Sequence, residues 1–237
     1  MNQRLIYEGK AKKIFSTDSP QQLRMEFKDS LTAFNAEKKG HFEGKGRLNC
    51  LISTYLFRLL TQHQIPHHWI NTVDGNQMIV QKTKIIPLEV VVRNFLAGSL
   101  AKRLNQSEGQ RLSKPLIELY FKDDSLGDPF VSDDQTLEFG WANAEQLKIM
   151  KSLATQINSI LSEHFLKVGI KLIDFKVEFG ITDKNEILLA DEISPDCMRL
   201  WDVYTDEKFD KDRFRRDLGN IKEAYQTILQ RLEGIPL

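Results

Sequence analysis

The run Leu172-Ile173-Asp174-Phe175-Lys176-Val177-Glu178-Phe179-Gly180 alternates apolar and charged residues with a period of two. As a strand it has two distinct faces. Ile173, Phe175, Val177 and Phe179 are predicted to face the core, and Asp174, Lys176 and Glu178 to share the opposite face. If Lys184-Asn185 is a two-residue hairpin turn, Asp183 pairs with Glu186 and the continued register sets Glu178 opposite Asp191. Directly opposed carboxylates repel. Mg²⁺, held by one or two carboxylates with water and phosphate oxygens completing its shell, offsets such repulsion in nucleotide sites. A solvated surface hairpin is the other reading of the same pattern.

Gly9-Lys10-Ala11-Lys12 lies between strand-like segments, where glycine lets backbone approach a phosphate and lysines supply point charges. Any basic β-turn has this composition. Gly40 to Gly46 imitates a Walker loop but is one residue short, with glycine where Ser or Thr would meet magnesium. It is rejected as such, leaving Gly44-Lys45-Gly46 as a phosphate-adjacent turn before a helix. Arg93, Gly98 and Ser99 follow an apolar strand and read either as an oxyanion or phosphate cradle or as a loop cap. Asp191 to Asp202, with Asp196, Cys197 and Arg199, is a polar loop beside a buried-looking strand, a common place for sites. Lys211, Asp212, Arg213, Arg215 and Arg216 open the last helical pattern and read by themselves as a solvated basic face. His67 and His68 lack a third ligand at metal spacing and read as surface histidines. Nothing suggests a covalent nucleophile: Cys50 falls among helical apolar residues, and Cys197 lines the polar loop without a histidine partner.

These groups need a scaffold, and the 237 residues are enough for one large domain or two small ones. Strands are predicted at 5–8, 11–15, 23–28, 68–73, 77–82 and 85–92, with a helix over 48–60 between them. Asn143 with Gln146 forms a capping box for a helix that runs to Gly169. A strand pair at 172–180 and 186–193, an irregular Pro-containing stretch, and a helix over about 210–232 complete the chain. Strands with a few long helices, rather than regular βαβ alternation, argue an α+β fold. A boundary near 83–87 divides it into a β-rich 1–84 and an α+β 85–237. Lys+Arg and Asp+Glu both number 33, so there is no basic excess for nucleic acid or an anionic membrane. Two distant cysteines fit a reducing cytoplasm, and neither a signal-peptide core nor a membrane span is legible.

Ile86 to Arg93 with Ala97-Gly98-Ser99, and Leu172 to Gly180, are long motifs by which the chain resembles the phosphoribosylaminoimidazole-succinocarboxamide synthases, the SAICAR synthetase family of purine biosynthesis. Tyr7 to Lys12, Asp191 to Asp202 and Lys211 to Arg215 agree, and the resemblance runs nearly end to end. It implies an N-terminal antiparallel sheet domain plus a larger α+β domain related to ATP-grasp enzymes. The implied activity joins the carboxylate of carboxyaminoimidazole ribonucleotide (CAIR) to the amine of L-aspartate, converting ATP to ADP and phosphate, by way of an acyl phosphate. By resemblance Lys10, Ala11 and Lys12 cover the ATP phosphates, Glu89 lies near the nucleoside, and Glu178 and Asp191 hold Mg²⁺. Arg93, Ser99, Asp196 and Arg199 look like ribonucleotide ligands, and Lys211 and Arg215 contact its phosphate. Asp174 and Lys176 line the reacting centre, and Lys122 and Asp128 are polar contacts for nucleotide or aspartate. Asn35 stands where some members carry aspartate, which puts an acid–base or second-metal role there in doubt. A homodimer is the family expectation. A kinase that stops at phosphoryl transfer and an inactive nucleotide binder are the competing readings; aspartate dependence and turnover separate them.

Overall fold

In the computed structural model, which describes residues 4–33 and 38–237, the first third of the chain is strand-rich, as its short alternating segments predict. Asn35 lies outside the described residues. β1 (Leu5–Glu8), β2 (Lys12–Ser16) and β3 (Gln22–Phe27) pair antiparallel, and β4 (Ser30–Ala33) with β5 (Lys38–His41) forms a separate ribbon. After α1 (Lys45–Gln62), the hairpin β6 (Trp69–Asp74) and β7 (Gln77–Gln81) joins the first sheet in the order β1-β2-β3-β7-β6.

The remainder builds a second antiparallel sheet with one long helix packed on a face of it. β8 (Lys84–Phe95), α2 (Gly98–Leu104), β9 (Arg111–Phe121), β10 (Phe130–Val131), α3 (Asp133–Glu138) and α4 (Ala144–Lys167) come first. β11 (Ile170–Ile181), β12 (Ile187–Ala190), β13 (Met198–Asp202), α5 (Asp212–Arg215) and α6 (Ile221–Glu233) follow. The sheet runs β10-β9-β8-β11-β12, with β13 also on β11. β12 pairs the end of β11 and β13 its beginning, so the loop from Asp191 to Cys197 bridges two partners on one edge. Lys176 N, midway along β11, donates to Cys197 O at 2.8 Å.

Packing separates the two faces. Leu88, Val90 and Val92 of β8 and Phe175, Val177 and Phe179 of β11 share a core with Met150, Leu153, Ile157 and Leu161 of α4. The predicted capping box forms: Asn143 accepts from Gln146 N at 2.9 Å, and Gln146 accepts from Asn143 N at 2.9 Å. The polar face of β11 is left looking away from α4, toward the first sheet.

Four expectations change. The β11–β12 turn is Asp183-Lys184-Asn185, with Asn185 left-handed at φ 61, because Thr182 N donates to Glu186 O at 2.9 Å. A three-residue loop with a left-handed last position shifts the register by one, and Glu178 faces Ala190 rather than Asp191. Ile173 is buried, but a bulge between Leu172 and Asp174 turns it to a small cluster with Ala97 and Trp201, away from the main core. The last helical pattern is broken at Asp217, Gly219 and Asn220, all left-handed, so α5 and α6 are separate. Finally, the irregular stretch after Ser194 contains β13.

Candidate active site

The faces of β11, β8 and β9 that look away from α4 form the floor of a cleft of about 810 Å³, roofed by the β1–β2 turn. Register alone assembles the floor: Asp174 lies opposite Arg93 and Glu178 opposite Glu89, while Val91 lies opposite Glu118 and Glu89 opposite Tyr120. The opposition read from sequence, Glu178 against Asp191, does not form, and a different like-charge pair, Glu178 against Glu89, stands on the other edge of β11. Lys176 neutralises it: Nζ lies 2.6 Å from Glu178, 3.1 Å from Glu89 and 3.7 Å from Asp191. Asp191 reaches this point although the register has slipped, because it sits just past β12 in a left-handed conformation, φ 61, where strand alternation no longer applies.

Every site residue predicted from sequence lines this one cleft. Lys12 pairs with Asp191 and, at 2.9 Å, with Glu192. Lys10 reaches across the mouth to Asp124 at 2.8 Å, and Lys122 reaches Glu178 at 2.7 Å. Burial alone would lower the Lys176 pKa, but Glu178, Glu89 and Asp191 hold it well above its ordinary value. Burial alone would raise Asp191, but Lys12 and Lys176 hold it well below the usual carboxylate range. Three carboxylates converging on one cationic nitrogen offer hard oxygen donors at one point, so these residues fit a Mg²⁺ ion. The Cys197 thiol, pushed up by burial and by Glu192, does not add a soft thiolate to that set.

The other end of the cleft is built from arginines. Arg93, buried, donates from Nε to Glu118 at 2.6 Å, from Nη1 to Asp174 at 2.8 Å, and from Nη2 to Ser99 at 2.9 Å and Tyr120 at 3.1 Å. Arg199 donates through Nη1 to both oxygens of Asp174, at 3.1 and 2.9 Å. Asp174 thus sits between two guanidiniums. Asp128 accepts from Asp123 N at 3.0 Å, and Ala11 and Arg215 complete the lining.

Several participants were missed from sequence. Lys45, read as a turn residue, is the first residue of α1 and is 1% exposed. Asp29 accepts from Gly44 N and Gly46 N and so holds this turn. A Cβ on Gly46 would lie 2.5 Å from Phe27 O, so only glycine lets α1 approach β3 this closely. Lys45 pairs with Asp196, which also accepts from Tyr225 at 2.7 Å and lies 4.0 Å from Lys211. Burial, opposed by Asp196, leaves the Lys211 pKa below its ordinary value. Glu118 was missed because β9 is masked in sequence by Pro115 and a polar first half; the strand tolerates proline where only β8 pairs with it. His68 is buried rather than at the surface, with Nε2 donating to Asp191 O at 2.9 Å, and burial brings its pKa down to about 4.

Asp210, fully buried, accepts from Leu200 N at 2.8 Å and Asp212 N at 2.7 Å. Burial and the adjacent Asp212 charge raise its carboxyl from 3.8 to about 7. A carboxyl raised on folding keeps a proton that the unfolded chain has released, so its contribution is complete below about pH 4 and lost as pH rises through 7. Asp210→Asn should remove that slope. Thermal midpoints measured from pH 4 to 8 should show the unsubstituted chain falling relative to the variant; parallel curves would disprove the assignment.

Comparisons with known proteins place the chain among its relatives. The SAICAR synthetase family model matches residues 5–232. A phosphoribosylaminoimidazole-succinocarboxamide synthase of Bacillus cereus (strain AH187) is 53% identical over 231 residues, covering 98% of this chain and 97% of the relative. The crystal structure of the synthase from Ehrlichia chaffeensis superposes with TM-score 0.95 at 45% identity, covering 99% of this chain and 100% of that one. A SAICAR synthetase solved in complex with ADP gives TM-score 0.94 at 46% identity, with 98% of each chain covered. Fold and cleft define an ATP-dependent ligase. The chain belongs to the SAICAR synthetase family.

Proposed function

We propose that the cleft joins the carboxylate of CAIR to the amine of L-aspartate, with ATP as co-substrate, through an acyl phosphate. The convergence of Glu89, Glu178 and Asp191 on Lys176, beneath Lys12, carries this reading. A carboxylate is a poor electrophile, so positioning and charge neutralisation must do most of the chemistry. A CAIR carboxylate oxygen takes the terminal phosphoryl group, and the bond to ADP breaks as the new P–O bond forms. The aspartate amine then attacks the acyl carbon; phosphate leaves with the C–O electron pair and the nitrogen loses a proton. Lys10 and Lys12, on the roof, meet the phosphates, with Ala11 lending backbone. Glu89 and Lys122 orient the nucleotide. Glu178 and Asp191 would hold Mg²⁺, which when bound neutralises charge on the phosphate oxygens. Lys176 and Asp174 line the reacting centre, Asp128 contacts nucleotide or aspartate, and Arg93, Ser99, Asp196, Arg199, Lys211 and Arg215 bind the ribonucleotide side.

In this reading residues 1–84 cover the nucleotide and 85–237 carry substrate and metal, in a homodimeric cytoplasmic enzyme. Among the described residues no helix is long and apolar enough to cross a membrane. The test is ADP release from purified protein with ATP, magnesium and CAIR, with and without L-aspartate, while the succinocarboxamide is followed. Product formed only with aspartate is expected. ADP released equally without aspartate, and no amide, would replace the ligase by a kinase.

A further inference from the structure

Asp212 has no role in the chemistry above, yet its carboxylate ties together three arginines. It is 1% exposed and accepts from Arg199 Nε at 3.0 Å, Arg215 Nη1 at 2.6 Å and Arg216 Nη2 at 3.2 Å. Burial alone would raise its carboxyl, but Arg199 and Arg215 bring it down to about 2, so it is ionised at neutral pH. Its main-chain N–H is fixed by Asp210.

The donors left over are informative. Among the described residues, Arg199 Nη2 and Arg215 Nε and Nη2 have no partner, and both side chains line the cleft. Ser99 Oγ already accepts from Arg93, so its own hydrogen is available to an anion. Two splayed guanidiniums and a hydroxyl are a receptor for a dianionic phosphate monoester. Arg213, on the same short helix, is spent instead on Glu207 and the carbonyls of Lys208 and Gly219. Gly98 supplies a second constraint. It is left-handed at φ +55, and a Cβ there would lie 2.3 Å from Arg199 Nη2 and 2.5 Å from its Cζ. No side chain fits without displacing the fork.

We propose that Asp212 is a positioning residue whose carboxylate splays Arg199 and Arg215 into a receptor for the ribonucleotide's phosphate monoester, with Gly98 keeping the space the Arg199 fork needs. This rests on the ligase reading only in naming the ribonucleotide; the receptor itself is testable without turnover.

The experiment is calorimetric titration of ribose 5-phosphate into the full chain, Asp212→Asn and Gly98→Ala, with far-UV circular dichroism and thermal midpoints alongside. Gly98→Ala removes no charge, so it reports on the fork's position even if Asp212→Asn folds poorly. Each variant should bind roughly tenfold to a hundredfold more weakly, the scale of about a 1 Å misplacement. In turnover, Asp212→Asn should raise the KM for CAIR by a similar factor while kcat and the KM for ATP hold. A structural role alone would reduce kcat through the folded fraction and leave both constants unmoved, and that result overturns the proposal. So does an unsubstituted chain that does not bind ribose 5-phosphate. Binding that is lost in the variants, in a chain that makes no succinocarboxamide, would uphold the receptor and overturn the ligase assignment instead.

Discussion

Glu178→Gln should lower ligation turnover by roughly two orders of magnitude and raise the magnesium needed for half-activation by roughly 10- to 100-fold. Glu178 is 3% exposed and accepts from Lys122 at 2.7 Å and Lys176 at 2.6 Å. Glutamine keeps the volume, so the packing of β11 against β8 survives. What goes is the negative charge that both ammonium groups face, together with one of the two anionic donors we propose for the cation. Steady-state rates across a magnesium titration, with a thermal midpoint as the folding control, separate this from a general loss of structure. Near-normal activity at limiting magnesium would remove Glu178 from the metal site.

Arg93→Ala should destabilise the fold and should also impair ribonucleotide use more than ATP use. Arg93 is 3% exposed and satisfies Glu118 and Asp174, both buried, along with Ser99 and Tyr120. Removing one partner of a buried ion pair and leaving uncompensated charge costs about 3–5 kcal/mol, but Asp174 keeps Arg199 and Glu118 keeps Arg103, so the low end of that range applies. For a chain of this size that is a fall of roughly 6–12 °C in the thermal midpoint. Arg93→Lys retains the charge but cannot reach four acceptors from one ammonium, so it should recover only part of the loss. Equal losses in ATP and ribonucleotide affinity in the folded fraction would refute Arg93 as a group of the ribonucleotide end.

The cleft was legible where local alternation carries it. Asp174, Lys176 and Glu178 were read to one face, and they share one. The capping box at Asn143 is likewise local and formed as read. What failed depends on partners distant in sequence. One left-handed residue, Asn185, moves the β12 register and sets Glu178 opposite Ala190 rather than Asp191. The Glu178–Glu89 pairing comes from β8 on the other edge of β11, a contact across 89 positions that no local pattern encodes. Lys45 reads as part of a phosphate-adjacent turn and Asp212 as part of a solvated basic face, and only the approach of α1 to Asp196 and of α5 to Arg199 buries them. β9 was hidden because half of it is an edge, free to be polar and to hold Pro115.

Catalytic groups usually cost a fold stability, so losing them often makes a protein sturdier at the expense of its activity. Lys176 is arranged otherwise. The register sets Glu89 directly against Glu178, and the same ammonium that we propose for the reacting centre offsets that repulsion. A lineage drifting away from its chemistry therefore gains no robustness by discarding this lysine. Purifying selection for folding alone would retain it, and its presence in a relative is poor evidence that the relative is still active.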